Sequence, residues 1–203
     1  MDYDETLKEA AQRAARAARM AMASYGRGEV TDEDDLTGVL VGHLGALLRG
    51  QIGGLTWSSS VLRHRAGTAG EEARIGADLL IHVAFKTRTR RYSKGVLIQA
   101  KRVEPGTAMS AAAHGELIAQ CNKMLGYTPA SFVFDYTRTS MRCAPATRIA
   151  GTTSRMLYDE CPWTSYRFFL ELFRCPIGDP RITSGLVRDL PIPYALNITA
   201  TGD

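Results

Sequence analysis

The sequence contains no zinc-binding motif, no secretory signal and no apolar run long enough to cross a membrane. A membrane-spanning helix needs about 18 predominantly apolar residues in succession, and no stretch of the chain supplies them. The first residues, MDYDETLKEAAQ, are rich in acids and lack the apolar segment of a signal peptide. The four cysteines are widely spaced, with no CxxC or Cys/His pair: Cys121, Cys143, Cys161 and Cys175. We therefore expect a cytoplasmic protein, not bound to a membrane, with reduced thiols.

Charge of either sign is also limited. The 203 residues include 25 Lys or Arg and 21 Asp or Glu, which gives a net charge of +4, and 45% of them are hydrophobic. This composition is typical of a folded globular domain and excludes a mainly disordered chain. The small positive excess is compatible with a polyanionic partner but does not require one.

Two helices are predicted before residue 50. Residues 4–24 are rich in Ala, Arg and Glu, which favour helix, and Gly26 is a typical stop. Their shallow apolar side predicts a helix that packs on the main domain or on a second subunit. We assign residues 1–28 to an N-terminal helical extension and residues 29–203 to the main domain. The second helix is predicted to begin after Thr31, its expected N-cap, and its apolar residues recur at helical spacing.

A β-hairpin follows these helices. Residues 78–85 and 95–101 are rich in Val, Ile, Leu and Phe, which predicts two strands joined by a loop too polar to be buried. Residues 51–70 are predicted to be irregular or to form a short strand. Further segments predict a helix at 110–126, a strand at 130–136 and a helix at 165–173. This order indicates an α/β fold in which helices flank a mixed central sheet.

Polar residues gather at the open end of the predicted hairpin. Side chains alternate between the faces of a strand, so Gln99 and Lys101 share a face. A symmetric hairpin centred near residue 90 places Asp78 opposite or diagonal to Lys101, roughly 5 Å away. Burying these polar groups is unfavourable unless they have a partner. The spacing therefore predicts a functional site at this end.

The second helix delivers a further acid to this site. At about 100° per residue, Glu33 lies on the core-facing side of the helix, Asp32 lies near its edge and Asp34 points away. A carboxylate beside Asp78 is repelled unless a cation lies between them, and a hard divalent ion relieves this repulsion. The Glu71-Glu72 pair is an alternative source of the acid.

This pattern resembles the active site of the PD-(D/E)XK nuclease superfamily, which has a restriction-endonuclease-like fold. The resemblance lies in Glu33, in Gly76-Ala77-Asp78 and in Gln99-Ala100-Lys101. The order helix, hairpin, helix, strand over residues 31–136 is also similar to the family's core. Ala77 replaces the proline for which the family is named. Gln99 replaces the usual acid, a variant similar to Mrr-like and Holliday-junction-resolvase-like branches.

The resemblance implies a metal-dependent nuclease that acts on DNA, in defence against foreign DNA or in repair, as a homodimer or within a larger nuclease complex. Mg²⁺ is the implied cofactor, Mn²⁺ is expected to substitute for it, and the number of metal ions stays open. Lys101 would activate the attacking water, and a polar Gln120 would face the site. The implied metal ligands are Glu33, Asp78, Gln99 and the carbonyl of Ala100. The alternatives are a non-catalytic nucleic-acid-binding or assembly protein on the same fold, or an RNA-cleaving toxin.

Basic residues are concentrated in and around the hairpin. The stretch from Leu79 to Val103 contains seven of them and no acid. We expect its loop to adjoin the site and to contact phosphates, without reading a base sequence. The predicted nucleic-acid-binding residues are Arg63, Arg65, Lys86, Arg88, Arg90, Arg91, Lys94 and Arg102.

Overall fold

The computed structural model of the chain describes residues 2–63 and 75–202. The strands are β1 (Gly50–Ile52), β2 (Leu55–Arg63), β3 (Leu79–Lys86), β4 (Arg91–Lys101), β5 (Ser131–Tyr136), β6 (Met141–Pro145), β7 (Trp163–Thr164) and β8 (Tyr194–Thr201). The helices are α1 (Tyr3–Gly26), α2 (Glu33–Leu47), α3 (Ala111–Tyr127), α4 (Ala146–Ala150), α5 (Leu157–Glu160), α6 (Ser165–Arg174) and α7 (Leu186–Asp189).

Within these residues the strands form one mixed sheet in the order β1-β2-β8-β3-β4-β5-β6-β7. Strand β3 runs antiparallel to β4 and parallel to β8, and β4 runs parallel to β5. Helix α3 makes the crossover that parallel neighbours such as β4 and β5 need. The predicted α/β fold with a mixed, helix-flanked sheet is therefore confirmed. No helix in the described part of the chain is long and apolar enough to span a bilayer.

The two faces of β4 pack against different helices. Val96, Ile98 and Ala100 belong to a hydrophobic cluster with α1, α2 and α6. Leu97 belongs to a second cluster, which includes Leu117 and other residues of α3. The alternation predicted for this strand is thus confirmed, and each face of the sheet has its own core.

Helix α1 packs its alanine side into the first of these cores. Ala10, Ala14 and Ala17 are fully buried there. Near the start of the helix, Asp4 pairs with Arg174 of α6 at 2.6 Å. The helix therefore lies on the rest of the chain, which is one of the two positions expected from its sequence. The domain boundary at residue 28 stays a prediction.

Helix α2 begins one residue later than expected. Its N-cap is Asp32, not Thr31, and the helix starts at Glu33. The Asp32 carboxylate accepts hydrogen bonds from the backbone N–H groups of Asp34 and Asp35, at 2.9 and 3.4 Å. A carboxylate at the N-cap satisfies helix N–H groups that have no partner within the helix.

The hairpin is tighter than predicted. Lys86 pairs with Arg91 across a short turn, so residues 91–94 belong to β4 and not to a loop. The expectation that this segment is too polar to be buried is wrong for Lys94, which is buried and donates from Nζ to the carbonyl of Ile177 at 2.6 Å. A backbone acceptor compensates for removing the amine from water, and burial lowers the pKa of Lys94 to about 8.

Strand β2 is longer than the short or irregular segment predicted for residues 51–70. It pairs with β8 from Thr56, opposite Thr201, to Arg63, opposite Tyr194. A partner more than a hundred residues away thus orders this strand, and local sequence cannot reveal it. Residues 64–70 of the predicted segment lie outside the described residues.

Candidate active site at one end of the sheet

The candidate site lies where β3 begins, β4 ends and α2 begins. Asp78 comes immediately before β3, and its Oδ2 accepts hydrogen bonds from Gln99 Nε2 at 2.5 Å and from the Ala100 backbone N–H at 2.8 Å. Leu79 pairs with Ile98, so Lys101 lies diagonal to Asp78, one of the two arrangements predicted. The hairpin itself therefore brings the predicted polar residues together.

Glu33 reaches the site from the first turn of α2. Its Oε1 lies 3.3 Å from Lys101 Nζ, and the two side chains are 32% and 18% exposed. Asp34 instead approaches Arg63 at 3.7 Å, between exposed side chains. The predicted orientation of Glu33 towards the site agrees with this contact, whereas its part in catalysis stays a prediction.

The carboxylates at the site are held where charge is unfavourable. Burial raises the pKa of Asp78 to about 7, against the opposing effects of the Ala100 N–H and the Lys101 charge. Burial also raises the pKa of Glu33, although Lys101 lies beside it. Each acid raises the pKa of a neighbour further when it is ionised. The Asp78 and Glu33 carboxylates together therefore favour the binding of a proton or of a cation.

Two buried amide oxygens, one at the site and one on helix α3, lack a partner among the described residues. Gln99 Oε1 and Gln120 Oε1 are buried and accept no hydrogen bond within residues 2–63 and 75–202. Gln99 Nε2 meanwhile donates both to Asp78 and, at 3.0 Å, to the carbonyl of Ala100. An amide nitrogen between a carboxylate and a carbonyl oxygen makes the contacts that a cation would make.

These groups fit a hard divalent cation by their chemistry, because every donor is oxygen. They comprise the Asp78 carboxylate, the Ala100 carbonyl and the unpartnered oxygen of Gln99. In the described part of the chain, however, no three His, Cys, Asp or Glu side chains form a metal-binding cluster. A metal ion here would depend on neutral oxygen ligands as much as on carboxylates.

Gly76 sets the distance between helix α3 and the segment before Asp78. Its φ of +76° is a left-handed conformation, and a Cβ on it would lie 2.7 Å from the backbone oxygen of Gln120. Only glycine combines this conformation with so close an approach. The contact places the backbone of Gln120 against Gly76, two residues before Asp78, whereas the part of the Gln120 side chain in the site stays a prediction.

Asp135 is a residue of this region that the sequence interpretation missed. It lies on β5 in register with Lys101 of β4 and is fully buried. Its Oδ1 accepts a hydrogen bond from the Val103 N–H at 2.9 Å, and its Oδ2 has no partner among the described residues. Burial raises the pKa of Asp135 to about 8. An acid within the apolar strand SFVFDY was the available signal.

The seven predicted basic residues that the structure describes lie in three places. The sequence predicts that the hairpin tip adjoins the site, and this prediction is wrong. Eight paired positions separate the two ends of the hairpin, which corresponds to about 25 Å. The residues at this remote tip are Lys86, Arg88, Arg90 and Arg91. Lys94 is buried, so its amine is not available to a phosphate.

Two other basic residues lie at the site's end of the sheet. Arg63 covers the ring of Tyr194 at 5.3 Å, and Arg102 covers the ring of Tyr25 at 5.5 Å. Arg65 and the alternative acids Glu71 and Glu72 lie outside the described residues. The contribution of each basic residue to nucleic-acid binding stays a prediction.

Comparison of the chain with protein-family models, with curated proteins and with solved structures finds no match. An assignment of function therefore depends on the residues and geometry described above.

Proposed function

We propose that the chain is a metal-dependent nuclease with a restriction-endonuclease-like core, which hydrolyses phosphodiester bonds of DNA as a homodimer or within a larger nuclease complex. The observation that supports this most is the arrangement at the end of the hairpin. Asp78 accepts a hydrogen bond from Gln99, and Glu33 forms an ion pair with Lys101. Lys101 follows Ala100, whose carbonyl faces the same site. A mixed sheet with helices on both faces carries these groups.

Asp78, Gln99 and the carbonyl of Ala100 would hold a magnesium ion, for which manganese is expected to substitute. When bound, the ion supplies Lewis-acid polarisation of the phosphodiester and lowers the pKa of a bound water. Asp78 provides the negative charge, and the two neutral oxygens complete the set. The raised pKa of Asp78 means that cation binding competes with a proton near neutral pH.

Lys101 would orient the attacking water and offset the negative charge that develops on the phosphate. Its side chain is only 18% exposed, so its charge is less screened than a surface charge would be. Glu33 accepts its hydrogen bond at 3.3 Å and so holds the amine in place. The predicted metal-ligand role of Glu33 thereby becomes, in our proposal, a positioning role as well.

A non-catalytic nucleic-acid-binding protein on the same fold is the second candidate. The observation that favours it is the Gln99 amide group, which already satisfies Asp78 and the Ala100 carbonyl without a metal ion. In such a protein, Gln99 would close the site and Lys101 would serve only as a phosphate contact.

The experiment that tests the proposal combines the purified chain with plasmid, linear duplex, single-stranded DNA and RNA, in Mg²⁺, Mn²⁺ or EDTA. We expect cleavage of DNA in either metal and none in EDTA. Asp78→Asn and Lys101→Ala should each reduce the rate by at least about 100-fold, or about 2.7 kcal/mol of activation free energy. The matched control is Asp34→Asn, an acid of the same helix turn as Glu33 that contacts Arg63.

Retention of full activity in both site variants would assign the cleavage to another site or to a contaminant. Metal-independent binding without cleavage by the wild-type chain would support the second candidate instead.

A further inference from the structure

The face of the sheet that carries the second hydrophobic cluster is open towards the hairpin tip. Partnered residues in or against this cluster cross strands β2, β8, β3 and β4 in one row: Leu62, Ala195, Leu80 and Leu97. In the next row, Ile182 lies against Gly95, and His82 is buried. Beyond these two rows the side chains on this face are exposed or half-buried, apart from Ala84. This end of the face is therefore accessible to a partner.

Strand pairing arranges the open end of this face in two rows. The row nearest the tip consists of Thr56, Thr201, Lys86 and Arg91. The row behind it consists of Ser58, Thr199, Ala84 and Ser93. Trp57, Phe85 and Tyr92 lie between the two rows in the chain and pack into the first cluster, where α1 lies. Because successive side chains of a strand point to opposite faces, both rows point away from α1.

Lys86 and Arg91 form a cross-strand pair of like charge. They lie directly opposite each other in the hairpin, and both are exposed. Neither forms an ion pair or a hydrogen bond within residues 2–63 and 75–202, and no residue of the two rows is an acid. Like charges directly opposite each other destabilise a sheet. An anion bound between the two side chains would replace this repulsion by attraction.

Hydroxyl groups adjoin this pair of cations. Thr201 lies beside Lys86 in the same row, and Thr56 follows it on β2. The Thr56 hydroxyl accepts a hydrogen bond from Gln51 Nε2 at 2.7 Å, which leaves its own proton available as a donor. The Thr199 hydroxyl forms no hydrogen bond in the described part of the chain. Lysine, arginine and hydroxyl side chains are the groups that contact the phosphate oxygens of nucleic acids.

The composition of the two rows favours a duplex backbone over other partners. The core of a protein interface is enriched in aromatic and methionine side chains and depleted in serine and lysine. Proteins that bind single-stranded nucleic acid stack its bases on aromatic rings. Neither row contains an aromatic residue or a methionine. Small donors on a flat sheet are instead suited to phosphates, which a duplex carries on its outside.

We propose that this end of the sheet, the hydroxyl face, binds the phosphate backbone of a double-stranded nucleic acid. The hydroxyl face consists of Thr56, Ser58, Thr199, Thr201, Lys86 and Arg91. Its contacts position a duplex without reading its sequence. It lies about 25 Å from the candidate site along the hairpin, so it is a second contact surface. The inference rests on the proposed function only in that the duplex would be the substrate.

Binding is measured by fluorescence anisotropy with Asp78→Asn protein in EDTA, so that cleavage does not interfere. The probes are a DNA duplex of about 20 base pairs, which exceeds the width of the face, and one of its single strands. We expect the duplex to bind at least about tenfold more tightly than the single strand, because the face offers no ring on which unpaired bases could stack.

Two variants separate the cations from the hydroxyls. Lys86→Gln with Arg91→Gln should reduce the slope of log affinity against log salt by about 2, at about 0.9 per phosphate contact. Thr199→Val should weaken duplex binding about fivefold and leave the slope unchanged, because a hydroxyl donates a hydrogen bond but releases no counterion. Valine keeps the branched shape that strands favour. The charge variant should melt no lower than the parent protein, because it removes a like-charge pair.

Each variant has a matched control. Arg16→Gln with Arg19→Gln changes the net charge equally at two exposed positions of α1, on the other side of the sheet. Thr153→Val removes a hydroxyl from an exposed position outside the sheet. Both controls should bind the duplex as the parent protein does.

An equal loss in the controls, parental binding by the charge variant or by Thr199→Val, or equal affinity for the single strand would each overturn the inference. If the wild-type chain fails to cleave DNA while this pattern of duplex binding holds, the proposed function fails and the hydroxyl face stands.

Discussion

The side-chain amide of Gln99 lies between Asp78 and its own strand, donating to Asp78 Oδ2 at 2.5 Å and to the Ala100 carbonyl at 3.0 Å. Donation of this kind favours the ionised form of a carboxylate whose pKa burial raises. Gln99 therefore stabilises the protein when no cation is bound. A carboxylate at the same position would lose both hydrogen bonds.

Gln99→Glu should therefore make stability depend on a divalent cation. In EDTA we expect the Tm to fall by about 5 °C, or about 2 kcal/mol at this chain length, because two buried carboxylates then face each other. Mg²⁺ should restore the loss by binding only the folded state. Thermal melting in EDTA and in Mg²⁺ measures both effects. Gln12→Glu, at an exposed position of α1, is the control, and identical melting of the two variants would contradict the arrangement.

Gly76→Ala should destabilise the protein more than the same change at Gly106. Both glycines have a φ of +76°. Alanine in this left-handed conformation therefore reduces the free energy of unfolding by the same amount at both positions, about 1–2 kcal/mol. A Cβ at Gly76 also lies 2.7 Å from Gln120 O, whereas one at Gly106 has no atom within 4 Å. Urea unfolding should show an additional loss of about 1 kcal/mol or more at Gly76. Equal losses would mean that α3 does not approach this segment closely.

Asp135→Asn should change how stability depends on pH. Burial raises the pKa of Asp135 to about 8, so the folded state binds a proton more tightly than the unfolded state. The wild-type protein therefore loses more stability than the variant as the pH rises from about 4 towards about 8, because the variant has no proton to lose at position 135. Asparagine keeps an oxygen that can accept from the Val103 N–H.

Urea unfolding at about pH 5 and about pH 9 measures this difference. From the lower to the higher pH, the wild-type chain should lose at least about 1 kcal/mol relative to the variant, since each unit of pKa difference is about 1.4 kcal/mol. Asp78 titrates in both proteins and cancels from the comparison. Parallel pH profiles would show that the Asp135 carboxyl ionises normally.

Glu33→Gln should slow cleavage, whereas Asp34→Asn should not. The first change removes the charge that holds Lys101 at 3.3 Å, and the second removes only an exposed contact with Arg63 at 3.7 Å. We expect at least a tenfold loss of initial rate for Glu33→Gln, about 1.4 kcal/mol, and a change within about twofold for the control. Similar cleavage rates for the two variants would show that Glu33 has no role in the reaction.

Local pattern predicted the parts of the site that lie within single elements. Alternation along β4 places Gln99 and Lys101 on one face, and helical periodicity turns Glu33 towards the sheet and Asp34 away from it. These features depend on backbone geometry over a few residues, which sequence spacing encodes directly. The diagonal relation of Asp78 to Lys101 follows from the same rule applied to two neighbouring strands.

Features set by distant contacts could not be predicted in this way. Lys94 is buried because the chain near Ile177, more than eighty residues later, supplies an acceptor and covers it. The position of Asp135 beside Lys101 depends on which strand pairs with β4, and β5 joins it only after the α3 crossover. The hairpin tip was assigned to the wrong end because a run of charges does not show how far it lies from the strand ends.

The position of β8 in the sequence also affects how the protein folds while it is being synthesised. In the sheet, β2 pairs with β1 and β8, and β1 has only three residues. At about 5–20 residues per second, the ribosome needs on the order of ten seconds to reach residue 194 after it has added residue 63. During that interval β2 and β3 each present an unpaired edge, which is the kind of surface that chaperones cover and that aggregates at high expression. Added chaperone or a lower expression level should therefore raise the yield of folded protein.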